Sequence, residues 1–101
     1  MLRTFLGMGK LLILPQYIFL IYSADINELR KHIHCTYAYK GFKRSCKFWL
    51  EPEIELDANK TGDFTEKELN EIKSLILQHK NLLLEQLELF YDNKQVKAIR
   101  L

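Results

Sequence analysis

Two histidines two positions apart, His32 and His34, are the residues of this 101-residue chain best suited to chemistry. On a strand, side chains two apart leave from the same face, so the imidazoles should stand side by side. An imidazole titrates near neutral pH and can take or give a proton, as general acid–base work on an RNA backbone requires. Lys43, Arg44 and Lys47 follow closely and could hold phosphate, while Trp49 and Tyr37 offer flat rings for stacking a base. The plainer reading is a solvated, non-catalytic sheet face used for interaction, because a histidine pair among lysines is also what such a face looks like. The chain has no Gly-rich phosphate loop, no Ser/His/Asp set and no Cys ligand spacing. Glu51, Glu53 and Glu55 alternate, but Pro52 between them marks a solvated edge rather than a metal site.

A hairpin must position these residues. His32 to Leu50 reads as two strands around a tight turn at Lys40-Gly41, where glycine supplies a positive φ without steric cost. A two-residue loop pairs Tyr39 with Phe42, Cys35 with Cys46 and Ile33 with Phe48. One face is then apolar, with Ile33, Cys35, Phe42, Cys46, Phe48 and Leu50. The other sets His32 and His34 opposite Trp49 and Lys47, flanked by Ser45 and Lys43. A three-residue loop with a bulge would turn one strand over relative to the other.

Around the hairpin, Tyr17 to Ser23 is aromatic and β-branched and apolar on both faces, as suits a central strand. Asp25 to Arg30 reads as a polar connector. Pro52 ends the hairpin's second strand, Glu53 to Asp57 alternates as a short extension with Ile54 and Leu56 inward, and Ala58 to Asp63 is loop by composition. Thr65 and Glu68 form a capping box, with Phe64 and Leu69 as the matching hydrophobic staple. Leu69, Ile72, Ile76, His79, Leu83, Leu87 and Phe90 then form one stripe at helical spacing, with a fray or kink allowed near Gln78 to Asn81. Val96 to Leu101 reads as a last strand.

The expected fold is therefore α+β. A small, mostly antiparallel sheet, with strands near 17–23, 32–39, 42–50 and 96–100, is covered on one face by one long helix near 66–91. Residues 11–101 form a single domain, and residues 1–10 are an N-terminal arm. The helix covers the Ile33/Cys35/Phe48 face and leaves the imidazole pair looking outward. His79 is then a hydrogen-bonded core histidine, and the three histidines converge only if the register is shifted or the pair lies at the sheet's edge. No metal and no cofactor are expected.

The formal charge of +2 hides an uneven distribution. From Arg30 to Leu50 there are six basic residues and no acid, and from Glu51 to Glu71 eight acids against two lysines. Such a hairpin attracts an anionic partner such as RNA, or is simply a sheet edge guarded by cations. The two cysteines are too few for a disulfide scaffold. Facing each other as a hydrogen-bonded pair about 5.5 Å apart at Cα, they suit a disulfide poorly and read as small buried hydrophobes in a reducing compartment. Leu11 to Tyr22 faintly resembles a secretion signal. It is shorter than the ~20 residues of a membrane span, Pro15-Gln16 interrupts it, and bulky Tyr22 stands where cleavage wants a small residue.

His32-Ile-His34-Cys-Thr-Tyr37 resembles the His-x-His-x-x-Tyr signature of a widespread bacterial family, the domain of unknown function 4160. His79 and the Leu-Leu-Leu-Glu85-Gln-Leu run after it are similar to that family's helix segment, and Phe48-Trp-Leu-Glu-Pro52, with Gly62-Asp-Phe-Thr, to one of its branches. The likeness covers about Tyr17 to Arg100. Arg30-Lys31 replaces the double proline usual before the first histidine, and Leu87 stands where tryptophan is common. The resemblance implies a small cytoplasmic protein, in some members one half of a toxin–antitoxin pair set beside a small partner. It identifies no catalytic residue. The expected activity is binding a small protein partner through the sheet. The alternatives are a ribonuclease-like enzyme using His32 and His34, and a non-catalytic structural or metal-binding module. RNA and a second copy of the chain are further possible partners, and no membrane is expected.

Overall fold

The structure, a computed structural model, describes residues 8–39 and 44–101. Its strands are β1 (Met8–Ile13), β2 (Tyr17–Tyr22), β3 (His32–Tyr37), β4 (Ser45–Trp49), β5 (Glu55–Leu56) and β6 (Ile99–Arg100). Its helices are α1 (Glu66–Gln78) and α2 (Lys80–Tyr91), with a short 3-10 helix at Ser23–Asn27. The strands lie in the order β5-β4-β3-β2-β1-β6, and only the β1–β6 pair is parallel. The class is α+β, as expected.

The hairpin register follows the two-residue-loop reading. His32 faces Trp49, Ile33 faces Phe48, His34 faces Lys47 and Cys35 faces Cys46. The Tyr37 N–H donates to the Arg44 carbonyl at 3.2 Å, continuing the ladder towards the turn. The Lys40-Gly41 turn, Phe42 and Lys43 lie outside the described residues. Strand β2 is buried from Tyr17 to Ile21, which is why it occupies the interior of the sheet.

Alternation puts Ile33, Cys35, Cys46, Phe48 and Leu50 on the face that meets Ile72, Ile76, Leu83, Leu87 and Phe90 of the helices. Helix α1 starts at the expected place. The Glu68 N–H donates to Thr65 Oγ1 at 3.1 Å and the Thr65 N–H to Glu68 Oε1 at 2.9 Å.

Three expectations are corrected. The single helix is two, because His79 at φ −111° and ψ 20° departs from helical geometry between α1 and α2. Its N–H still donates to the Leu75 carbonyl and its carbonyl accepts from Leu83, so helical hydrogen bonds reach this residue from both sides. The polar run from Gln78 to Asn81 allows the break.

Among the described residues the sheet has six strands rather than four. Residues 8–10, assigned to an arm, belong to β1; residues 1–7 lie outside the described residues. A register shift between Lys10 and Leu12 puts Leu11 and Leu12 both into the core, and such a bulge breaks the period of two by which a strand is recognised. The last strand is only Ile99–Arg100, and it runs beside β1.

Thirdly, His79 is not a core residue. It is half-buried at the helix junction, across the sheet from His32 and His34. Among the described residues no helix is long and apolar enough to cross a membrane.

Candidate functional site

At its histidine end the second sheet face is not open. After β2 the chain turns through the 3-10 helix and passes back across the sheet before entering β3, and this strap covers the histidine face. The turn is set by Asp25, whose Oδ2 accepts from the Tyr22 N–H at 3.1 Å. Tyr22 also packs its ring edge-on to His34, 4.8 Å between centroids. The expectation of outward-looking imidazoles is overturned here, since His32 is 0% exposed and the His34 side chain 15%.

Asp25 is the centre of the arrangement. Its Oδ2 lies 2.9 Å from His34 Nε2, which donates to it. Its Oδ1 lies 3.3 Å from His32 Nε2, but the alignment makes no hydrogen bond, and that buried nitrogen has no hydrogen-bond partner. On the far side of the same ring, Nδ1 faces two acceptors, the Arg30 carbonyl at 3.2 Å and Glu28 Oε2 at 3.2 Å. Both accept, which assigns the proton of a neutral His32 to Nδ1 and leaves the Nε2 lone pair unpaired beside the Asp25 carboxylate. Burial pulls the His34 imidazole below its ordinary pKa, and the Asp25 charge opposes that only in part. One donor atom from each of Asp25, His32 and His34 lies within 4.8 Å of the other two.

The residues expected to bind RNA are placed differently from one another. Lys47 is buried, its Nζ 3.2 and 3.0 Å from the two Glu28 oxygens and 4.3 Å from the Trp49 ring centre. Trp49 is also capped by Arg30 at 4.6 Å and met edge-on by His32, so its faces are already in use. Arg44 forks onto both Glu68 oxygens at 3.1 and 2.9 Å and lies over the Tyr37 and Phe64 rings. That pair holds the Glu68 carboxyl below its usual value and joins the start of β4 to the start of α1. Lys43 lies outside the described residues. The structure thus brings His32, His34, Lys47 and Trp49 together, sets Arg44 and Tyr37 apart at the other end of the hairpin, and leaves His79 on the opposite layer.

Sequence reasoning passed over Asp25 and Glu28. A count of charge that starts at Arg30 finds no acid in the hairpin, yet the two acids just upstream are the ones that fold over it. Cys35 and Cys46 are free, buried and opposed. Burial and the neighbouring Cys46 thiol push the Cys35 thiol well above its ordinary value.

These features define a small α+β protein whose sheet carries helices on one side and a polar strap, tied down at a histidine pair, on the other. The family model described as domain of unknown function (DUF4160) matches residues 17–88, and the chain belongs to that family. The matched stretch holds Asp25, both histidines and the capping box. No curated protein and no solved structure matches the chain.

Proposed function

We propose that the protein acts by binding a small protein partner, as one half of a cytoplasmic toxin–antitoxin-type pair. What supports this reading over action on RNA is the charge pairing around the hairpin. Arg30 meets Glu55 at 3.3 Å, Lys31 meets Glu51 at 3.7 Å, Arg44 meets Glu68 at 2.9 Å and Lys47 meets Glu28 at 3.0 Å. Cations already matched to carboxylates are a poor trap for a phosphate chain, whose affinity comes from neutralising phosphates.

An apolar alternative exists on the strap side of the sheet. An open groove is lined by Ile13, Leu14, Pro15, Ile18 and Ala38, with Lys10 and Arg100 among its other walls. Fixed apolar walls with a polar margin suit a protein segment better than a nucleic acid. Recovery from native cells, followed by sizing, tests this. The expected result is a stoichiometric complex with one small protein that Ala38→Glu weakens more than about tenfold, the scale of one well-placed contact. Recovery only as a lone monomer or as a self-associated species overturns it.

One observation favours a second reading, a ribonuclease-like enzyme. His34 and Asp25, 2.9 Å apart, have the spacing of a base and the group that orients it. On that reading His34→Ala abolishes RNA cleavage and any growth inhibition. Unchanged cleavage discards it.

A further inference from the structure

We propose that Asp25, His32 and His34 form a binding site for one divalent cation of the zinc class, which fastens the strap between β2 and β3 onto the sheet. The proposal goes beyond the partner-binding reading and does not depend on it.

The first support is the donor set. Two imidazole nitrogens and one carboxylate oxygen are ligands that zinc accepts in three-residue sites with a fourth position left for water. Donors around a tetrahedral ion at about 2.0–2.1 Å stand about 3.3 Å apart. The Asp25 Oδ1–His32 Nε2 separation is 3.3 Å and the Asp25 Oδ2–His34 Nε2 separation is 2.9 Å. The three donor atoms lie within 4.8 Å of one another, so a cation entering here draws them together, and His34 gives up its Nε2 proton and carries the ring proton at Nδ1 instead.

The second support is independent of spacing. His32 Nε2 is fully buried, has no hydrogen-bond partner, and lies 3.3 Å from a carboxylate oxygen. With the ring's proton held at Nδ1, two acceptors lie 3.3 Å apart, which costs energy unless something positive lies beside them. The remaining ring nitrogen is already served as metal-bound histidines usually are, by a backbone carbonyl at 3.2 Å and a carboxylate at 3.2 Å. Charge agrees. With neutral imidazoles, Asp25 and Glu28 supply two negative charges against the one positive charge of Lys47, so a divalent ion enters a site of net negative charge. The 15% exposure of the Asp25 and His34 side chains gives the ion a way in and leaves room for a water ligand.

The test uses the untagged full chain, stripped with chelator and titrated with Zn2+ by calorimetry, with Co2+ absorption reporting four-coordinate geometry. One equivalent should bind, and Asp25→Ala should weaken binding more than about a hundredfold. Asp25 lies on the strap rather than in the core, so this variant should keep the wild-type circular dichroism, whereas the buried His32 is a poorer choice. Glu28→Gln, which touches the outer nitrogen of His32 and Lys47 but none of the three donor atoms, should weaken binding about tenfold. His79→Ala should leave it unchanged. Less than half an equivalent bound, uptake equal to wild type in Asp25→Ala, or uptake lost in His79→Ala would each overturn the assignment.

Discussion

Gln86 sits within the apolar stripe of α2, yet its Nε2 donates to two carbonyls, Leu11 at 3.1 Å and Lys97 at 2.7 Å. The Leu11 carbonyl belongs to the bulged residue of β1, and Lys97 leads into β6, so one amide ties the first strand to the last. Gln86→Leu keeps the volume and strands both acceptors, which should cost about 1–3 kcal/mol in urea unfolding. Tyr17 makes a pH prediction. Burial, helped by the Glu71 charge, pushes its phenol up to about 12 from 10.0. The folded state therefore holds this proton more tightly than the unfolded chain. The stability it contributes is complete below pH 10 and is lost as pH rises towards about 12. Tyr17→Phe should flatten the alkaline limb of a stability-against-pH curve, which thermal melts at successive pH values would read. Neither role was legible beforehand. An isolated glutamine in a leucine stripe looks like a surface position, and nothing local says that a bulge in the adjoining sheet will need a donor.

At the scale of elements, what could be read was what short-range pattern dictates. Alternation fixed the hairpin faces, and the Thr65/Glu68 spacing fixed the start of α1. Alternation also says which side chains leave together, so the pairing of His32 and His34 was visible. It says nothing about what covers them, and the strap's polarity suggested water where Asp25 meets two buried rings. Strand β1 was missed because its bulge spoils the period; the last strand was expected, but its parallel pairing with β1 was not, because non-local pairing leaves no local trace.

Two tests belong here. Gly62, at φ +64°, would place an added Cβ 2.1 Å from the Ser45 carbonyl oxygen, in the loop that packs along β4. Gly62→Ala therefore meets both left-handed backbone and a main-chain clash. It should destabilise by more than about 2 kcal/mol on chemical denaturation. Glu68→Gln leaves a side-chain oxygen for the capping box but removes the ion pair with Arg44. Because the Glu68 carboxyl is held below its usual 4.5, its contribution is present above that pH and lost as pH falls through the folded value. The variant's acid limb should be shallower than the wild type's, as fluorescence-monitored acid titration would reveal.

Across the whole molecule, the cations of the central hairpin and the carboxylates that flank it in sequence meet in space. The surplus of +2 is spread over a surface on which Arg30, Lys31, Arg44 and Lys47 are matched. Removing one carboxylate from this set should do more than weaken one contact. Glu28→Gln leaves the nearly buried Lys47 ammonium without a counter-charge, and the expected loss is about 3 kcal/mol by thermal or urea unfolding. That is larger than for Glu55→Gln, whose partner Arg30 is 39% exposed and well screened.

The opposed thiols at the centre of the sheet offer a clock. Cys35 is 0% exposed and Cys46 1%, one on each middle strand of the hairpin, so a reagent in solution reaches neither until the two strands part. The rate at which an alkylating probe marks them then measures how often the entire domain opens, and a change at any distant position can be timed by its effect on that single slow reaction.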